Sequence, residues 1–226
     1  MKALFLAGAT VAALAAANLA PAMAQATKPA SQVVQWNQTL LGIVRTPGIQ
    51  PATIHPTRSF AIMHAAIYDA VNAIDGTHQP YLVRLGASHF ASQEAAAASA
   101  AHEVLVKLYP SFQATLDAQL QQALAQLPNR GKADGISIGN TVADRILALR
   151  SNDGSNAQPI PYVFGNAPGD YQSTPPNFPK QPQFTHWSRV TPFALESASQ
   201  FRPGGPPRLT GDRYSDAFDQ VKLLGI

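Results

Sequence analysis

Residues 58–74, R-S-F-A-I-M-H-A-A-I-Y-D-A-V-N-A-I, place an arginine, a histidine and an aspartate in an otherwise apolar run. These side chains could form a catalytic constellation, or they could hold neighbouring elements in place. Arg58 and Asp69 stand about 16 Å apart along an α-helix, so they cannot contact each other. Because an unpaired buried charge is costly, each should find a partner on another helix or on the aromatic segment described below. We therefore expect structural roles for Arg58, His64 and Asp69, with at most an indirect influence on a site elsewhere.

His64 could act as a general base or a metal ligand, but we favour a hydrogen-bonded core histidine. Tyr68 stands one turn away and could interact with it. No two histidines have the His-x3-His spacing of a zinc site, and His102-Glu103 lacks the second histidine of a metalloprotease motif. Nucleophile-elbow, phosphate-loop and dinucleotide-binding motifs are also absent from the sequence. We predict no catalytic, cofactor-binding or metal-binding residue, and we assign no ligand role to the other, scattered histidines: His55, His78, His89 and His186.

The elements that position these residues have helical patterns throughout the first 150 residues. Apolar side chains recur every three to four positions, and no stretch alternates with strand period over any length. Thr57 and Ser111 are predicted N-caps, and Gly76 should end the second helix in the left-handed conformation. The alanines of the third helix should let neighbouring backbones approach closely. The predicted helices cover residues 31–45, 57–74, 92–109, 111–127 and 132–150, and they form an all-α helical bundle within residues 25–150.

Residues 151–209 have a different character, because prolines are interleaved there with aromatic residues such as Phe184 and Trp187. Disordered linkers are poor in aromatic residues, so we predict a long, ordered, irregular Pro/aromatic-rich arm packed on the bundle. Residues 210–226 have the pattern of the start of a further helix, with Thr210 as its N-cap. This helix is either a terminal helix or a joint leading into a missing second half, which would make the chain truncated.

Residues 1–24 have the pattern of a secretory signal peptide, because Lys2 precedes an alanine-rich run and Ala22-x-Ala24 fits the cleavage rule. We predict an exported protein, periplasmic or secreted, without a membrane segment after signal cleavage. The chain contains no cysteine, so its fold must depend on packing rather than on disulfides. Its formal net charge is only +3 and its basic residues are scattered, so we predict no nucleic-acid partner.

Several segments, taken in order, resemble one family: residues 58–74, A-S-Q-E-A-A-A-A-S-A-A-H-E-V-L, R-S-N-D-G, T-P-P, and P-F-A-L-E-S-A-S-Q-F-R-P-G-G-P-P. The chain is similar to the N-terminal half of bacterial vanadium-dependent haloperoxidase-like proteins, in the type 2 phosphatidic acid phosphatase superfamily. The resemblance implies a helical fold and, for the whole protein, either phosphoric ester hydrolysis or halide oxidation. It also implies an active site in the second half, where Lys-x6-Arg-Pro, Pro-Ser-Gly-His and Ser-Arg…His…Asp motifs hold vanadate or phosphate.

This sequence departs from all three motifs. Arg202 precedes a proline, but Leu195 stands where the motif has lysine. Residues 86–89 are Gly-Ala-Ser-His, and no histidine follows Ser188-Arg189. We therefore predict no cofactor in this chain, with vanadate implied only for the absent half, and too few cationic groups beside an imidazole to hold an oxyanion.

Two functions remain open from the sequence. The chain could be the N-terminal scaffold portion of such an enzyme, inactive alone, with a C-terminal catalytic half or a second copy as its partner. It could instead be a stand-alone exported helical binding or interaction module, in which the arm forms the contact surface.

Overall fold

The computed structural model describes residues 31–51 and 54–225, so the predicted signal peptide at residues 1–24 lies outside the described residues. Within this part of the chain the structure is helical and has no β-strand, which confirms the all-α prediction. Two short 3-10 helices cover Pro110–Phe112 and Trp187–Arg189. No helix of the described residues is both long enough and apolar enough to cross a membrane. The six α-helices of these residues are α1 (Gln32–Arg45), α2 (His55–Asp75), α3 (Gln93–Leu108), α4 (Gln113–Ala125), α5 (Lys132–Arg150) and α6 (Asp212–Leu224).

Helix α3 lies at the centre of the bundle and contacts α1, α2, α4 and α5. Its alanine side chains are buried, and two glycines of α5, Gly135 and Gly139, lie against its backbone. A Cβ atom added at Gly139 would stand 2.9 Å from the backbone nitrogen of Ala100 and closer still to the carbonyl oxygen of Ala96. The prediction that the alanine-rich helix permits close backbone approach is therefore confirmed.

The ends of α2 agree only in part with the prediction. Gly76 ends the helix with φ of 69°, in the left-handed conformation that was expected. Thr57 is not the N-cap, because α2 begins at His55 and Thr57 Oγ1 donates a hydrogen bond to the carbonyl oxygen of Ile54 at 2.6 Å. The helix extends this far back because Pro56 lies in its first turn, where the missing N–H group costs no hydrogen bond.

Two other predicted N-caps are also wrong. Ser111 lies inside the 3-10 helix Pro110–Phe112, and α4 begins after it at Gln113, following Phe112. Thr210 lies before the N-cap of α6, which is Gly211. In both places the residue type suits a cap, but the chain enters the helix one or two residues later.

Residues 151–209 are irregular apart from the 3-10 helix Trp187–Arg189. Residues 184–193 lie against the bundle: His186 is buried, and Phe193 packs against the hydrophobic core. The backbone nitrogen of Thr191 donates to the carbonyl oxygen of Asp153 at 2.8 Å, and Tyr81 Oη donates to that of Phe193 at 2.6 Å. Other large side chains of this region are exposed: Val163, Tyr171, Phe178 and Phe201.

Candidate functional site

A polar cavity of about 360 Å³ lies where the first turn of α2 meets the last turns of α3 and α5. It is open to solvent, and three of its lining residues carry positive charge: Arg58, Lys107 and Arg150. His55, the first residue of α2, also lines it. The expectation that too few cationic groups would lie beside an imidazole is therefore wrong at this cavity. The three cationic residues and His55 come from three helices that are distant in sequence.

A buried carboxylate joins two of the three cations. Asp153 Oδ2 accepts hydrogen bonds from Arg58 Nε at 2.8 Å and from Arg150 Nε at 3.1 Å, and Arg150 Nη2 lies 2.8 Å from the same oxygen. The Asp153 side chain is only 1% exposed. Burial alone would raise the pKa of Asp153, but hydrogen bonds from Arg58 and Ser155, together with the charge of Arg58, lower it to about 2. Asp153 is thus ionised at any physiological pH.

Arg150 uses most of its hydrogen-bond donors to hold the structure together. Its side chain is 2% exposed, and its Nη1 and Nη2 atoms donate to the carbonyl oxygens of Pro192 and Thr191 at 3.3 and 2.6 Å. Its guanidinium also lies 3.9 Å from the ring centroid of Phe193, at cation–π distance. Arg150 therefore attaches the 184–193 segment to α5 and has little donor capacity left.

Arg58 is only partly engaged. Its Nε atom bonds to Asp153, and its Nη2 atom donates to the carbonyl oxygen of Arg150 at 2.8 Å. Its Nη1 atom has no hydrogen-bond partner among the described residues, and the side chain is 16% exposed. A guanidinium has five N–H donors, so Arg58 keeps a free edge that solvent or a ligand can reach.

His55 lies beneath the aromatic side chains of the arm. Its ring centroid is 5.1 Å from that of Phe184 and 4.8 Å from that of Trp187. Burial lowers the pKa of His55, and Coulombic interactions with His186 and Arg58 lower it further. Its Nδ1 atom is buried and has no hydrogen-bond partner in residues 31–51 or 54–225. His55 is therefore a neutral imidazole at neutral pH.

A hydroxyl pair completes the wall of the cavity. Tyr109 Oη lies 2.7 Å from Ser59 Oγ and 3.0 Å from Gln50 Oε1, and it can donate its single proton to only one of them. Burial raises the pKa of Tyr109, which keeps the phenol protonated. The Nε2 atom of Gln50 is buried, and the described part of the chain offers it no hydrogen-bond partner.

The structure does not bring the three predicted residues together. Only Arg58 lines this cavity, and its partners lie on α5 and at the start of the arm, as expected. Asp69, 1% exposed, accepts hydrogen bonds from the backbone nitrogens of residues 81, 82 and 83 at 2.6, 2.9 and 2.8 Å. The expectation that its partner lies on another helix or on the arm is wrong, because three backbone N–H groups of the α2–α3 connection satisfy the carboxylate.

His64 lies away from the cavity. Its Nε2 atom is 2.9 Å from Asn37 Oδ1 of α1, and its ring stacks on Phe60 at a centroid distance of 6.3 Å. Burial lowers the pKa of His64. Tyr68 does not contact it through a hydrogen bond but donates to the carbonyl oxygen of Gln79 at 2.7 Å. His64 thus joins α2 to α1.

Sequence reasoning missed His55 and Asp153 as members of this cluster. His55 has no ligand spacing to any other histidine, so the sequence gives no sign of its role. The signal that could have identified Asp153 is the R-S-N-D-G stretch, where Arg150 and Asp153 are three residues apart at a helix end. Within the described ranges, no three histidine, cysteine, aspartate or glutamate side chains are placed to hold a metal ion.

The chain matches no family model, and no curated protein or solved structure is significantly similar to it.

Proposed function

We propose that this chain is the N-terminal helical scaffold portion of an exported protein of the phosphatase and vanadium haloperoxidase type, and that it is inactive alone. In this role the bundle supports a catalytic portion that carries the oxyanion-binding motifs. The observation that carries the proposal is the surface of α6, which offers a place for such a portion to dock.

All 13 residues of α6 are exposed. Four of its five large apolar side chains recur at helical spacing and form one stripe, while Leu223 lies on the other side; within the stripe the rings of Tyr214 and Phe218 stack at a centroid distance of 6.5 Å. The remaining members of the stripe are Val221 and Leu224. A continuous apolar stripe on an exposed helix is typical of a surface that another element covers.

The charged residues of the bundle are consistent with a scaffold. Asp69 fixes the α2–α3 connection, and Arg150 and Asp153 fix the arm, so these charges serve attachment. The cavity at α2 does not reproduce the vanadate sites implied by the resemblance. It offers one guanidinium edge, and the imidazole Nδ1 atom of His55 is buried beneath aromatic rings. No step of oxyanion chemistry is therefore assigned to it.

A phosphatase assay tests the proposal. The purified chain is incubated with a chromogenic phosphate ester, with and without added vanadate, and we expect no turnover above a buffer blank. A parallel assay includes any polypeptide encoded downstream that carries the three motifs, and activity should then depend on that polypeptide. Robust hydrolysis by this chain alone would contradict the scaffold role.

The alternative, a stand-alone exported helical binding module, is favoured by one observation, the cationic cavity at α2. Sedimentation of the purified chain separates the two functions. A scaffold with an uncovered α6 should self-associate, and Phe218→Asp should make it monomeric, with Asp219→Asn as an exposed control on the same helix. A chain that is monomeric without any substitution favours the binding module.

A further inference from the structure

The cavity at the start of α2 has hydrogen-bond donors that the fold leaves unused. We propose that it binds a small monocarboxylate with a short apolar tail, and that the free edge of the Arg58 guanidinium holds the carboxylate. This inference goes beyond the scaffold role and does not depend on it, because the cavity lies within the bundle and α6 does not line it.

The charge of the cavity selects a monoanion. Arg58, Arg150 and Lys107 are positive, and the carboxylates that pair with them are Asp153 and Glu103, the latter 3.6 Å from Lys107 Nζ. Three cations and two carboxylates leave one positive charge. A monocarboxylate neutralises this single positive charge. A phosphate dianion would carry more negative charge than is needed, and a neutral ligand would leave the positive charge uncompensated.

The geometry of Arg58 suits a carboxylate. Asp153 and the carbonyl oxygen of Arg150 occupy Nε and one hydrogen of Nη2, so the Nη1 atom and the second hydrogen of Nη2 remain. These two donors lie at the end of a planar fork, which matches the two oxygens of a carboxylate. Because the guanidinium is largely buried, a bond to it loses less strength to solvent than one at a fully exposed arginine.

The remaining walls define the rest of the ligand. Leu108 and Leu147, which are partly exposed, line the cavity and provide apolar surface for a short hydrocarbon tail. Gln50 also lines the cavity, but its Nε2 atom is buried like the Nδ1 atom of His55, so neither atom is counted as a ligand contact. The volume of about 360 Å³ is near the lower end of the range for small-molecule sites, so it suits a free organic acid rather than a folded partner.

An NMR titration of the full chain tests the site with acetate, butyrate, butyramide and inorganic phosphate as probes. We expect saturable shifts with butyrate that include the Arg58 Nε–H resonance, at least tenfold weaker binding of acetate, and no saturation with butyramide. These comparisons use the unsubstituted protein, so they do not depend on the stability of any variant. Tighter binding of phosphate than of butyrate, equal binding of butyramide, or no saturation at all would overturn the proposal.

Substitution locates the site. Arg58→Lys keeps the charge beside Asp153 but removes the fork, and Arg58→Gln removes both, so we expect butyrate affinity to fall at least tenfold in each. Arg145→Gln is the matched control, because Arg145 is exposed on α5 and does not line the cavity. Unchanged affinity in a folded Arg58 variant would place the ligand elsewhere. Phosphatase inactivity is measured separately, so failure of the scaffold proposal leaves this result intact.

Discussion

Replacing Asp153 with asparagine removes the carboxylate that two guanidinium groups share. Its Oδ2 atom lies within 3.1 Å of nitrogens of both Arg58 and Arg150, and the carboxylate and Arg150 are almost completely buried. An amide at this position can still accept a hydrogen bond, but it cannot neutralise either cation. The substitution therefore tests whether the cluster stabilises the attachment of the arm to the bundle.

The expected size of the effect follows from the pKa of the carboxyl group. That pKa falls from 3.8 to about 2 on folding. At ~1.36 kcal/mol per pKa unit, this difference corresponds to about 2 kcal/mol of stability that depends on the negative charge. Breaking a buried ion pair by removal of one partner typically costs about 3–5 kcal/mol. We expect Asp153→Asn to lower the free energy of unfolding by about 2–4 kcal/mol at pH 7, since the isosteric amide keeps the packing.

The same carboxyl group predicts a pH dependence. In the unfolded chain Asp153 binds a proton with a pKa near 3.8, and in the folded chain it does so only near 2. Its contribution is therefore fully present above about pH 5 and is lost as the pH falls towards 2. Asparagine does not titrate, so the difference in unfolding free energy between the two proteins should narrow by about 2 kcal/mol over this range.

Urea unfolding followed by circular dichroism at several pH values measures both effects. Asp144→Asn is the control, because Asp144 is exposed on α5, and its unfolding free energy should stay within about 0.5 kcal/mol of that of the unsubstituted chain. If Asp153→Asn is equally mild at pH 7, or if the difference does not change with pH, the buried charge cluster does not stabilise the fold as argued.

Two further substitutions test the packing of the bundle. Asp69→Asn should lower the free energy of unfolding by about 2–4 kcal/mol and speed amide exchange at residues 81–83, since the amide group cannot accept three backbone N–H bonds as a carboxylate does. An unchanged exchange rate there would contradict this role. Gly139→Ala should cost about 1–3 kcal/mol in thermal or urea unfolding, because the added methyl group meets the α3 backbone. Gly42→Ala on α1 is its control, since a Cβ there meets nothing within 4 Å and should stabilise the helix by about 0.5–1 kcal/mol.

The helical part of the fold could be predicted because its signals are local. Apolar periodicity and runs of strong helix formers located α1 to α5, and Gly76 marked a helix end through its own backbone preference. The three failed N-caps show the limit of local signals. Thr57 and Ser111 each follow a proline, where such a residue fits several entry geometries, and the first turn of α2 begins before Thr57 because Pro56 is compatible with it. Thr210 precedes Gly211, which is the N-cap of α6 instead.

The sequence predicts only one property of the candidate site, which is that its charged side chains must have partners. The sequence shows that Arg58 needs a counter-charge, but Asp153 lies 95 residues further along the chain, and its short spacing to Arg150 indicates a local pair at a helix end without identifying Arg58 as the second partner. His55 has no chemical signature of its own, because its environment comes from Phe184 and Trp187 of the arm. The Arg58–Asp153 pair and the aromatic environment of His55 both arise when the irregular segment packs against the bundle. Hydrophobic periodicity carries no information about such long-range packing.

Arg58 contributes both to the stability of the fold and to the proposed ligand binding, because the contacts that fix its side chain also hold its free edge in position for a ligand. A free arginine side chain loses conformational entropy when it binds an anion, and that loss weakens binding. Here Asp153 and the carbonyl oxygen of Arg150 already fix the guanidinium, so the free edge is ordered before any ligand arrives. A carboxylate at Nη1 would therefore add bonds at little further entropic cost, and loss of Asp153 should weaken that binding even though Asp153 repels an anion.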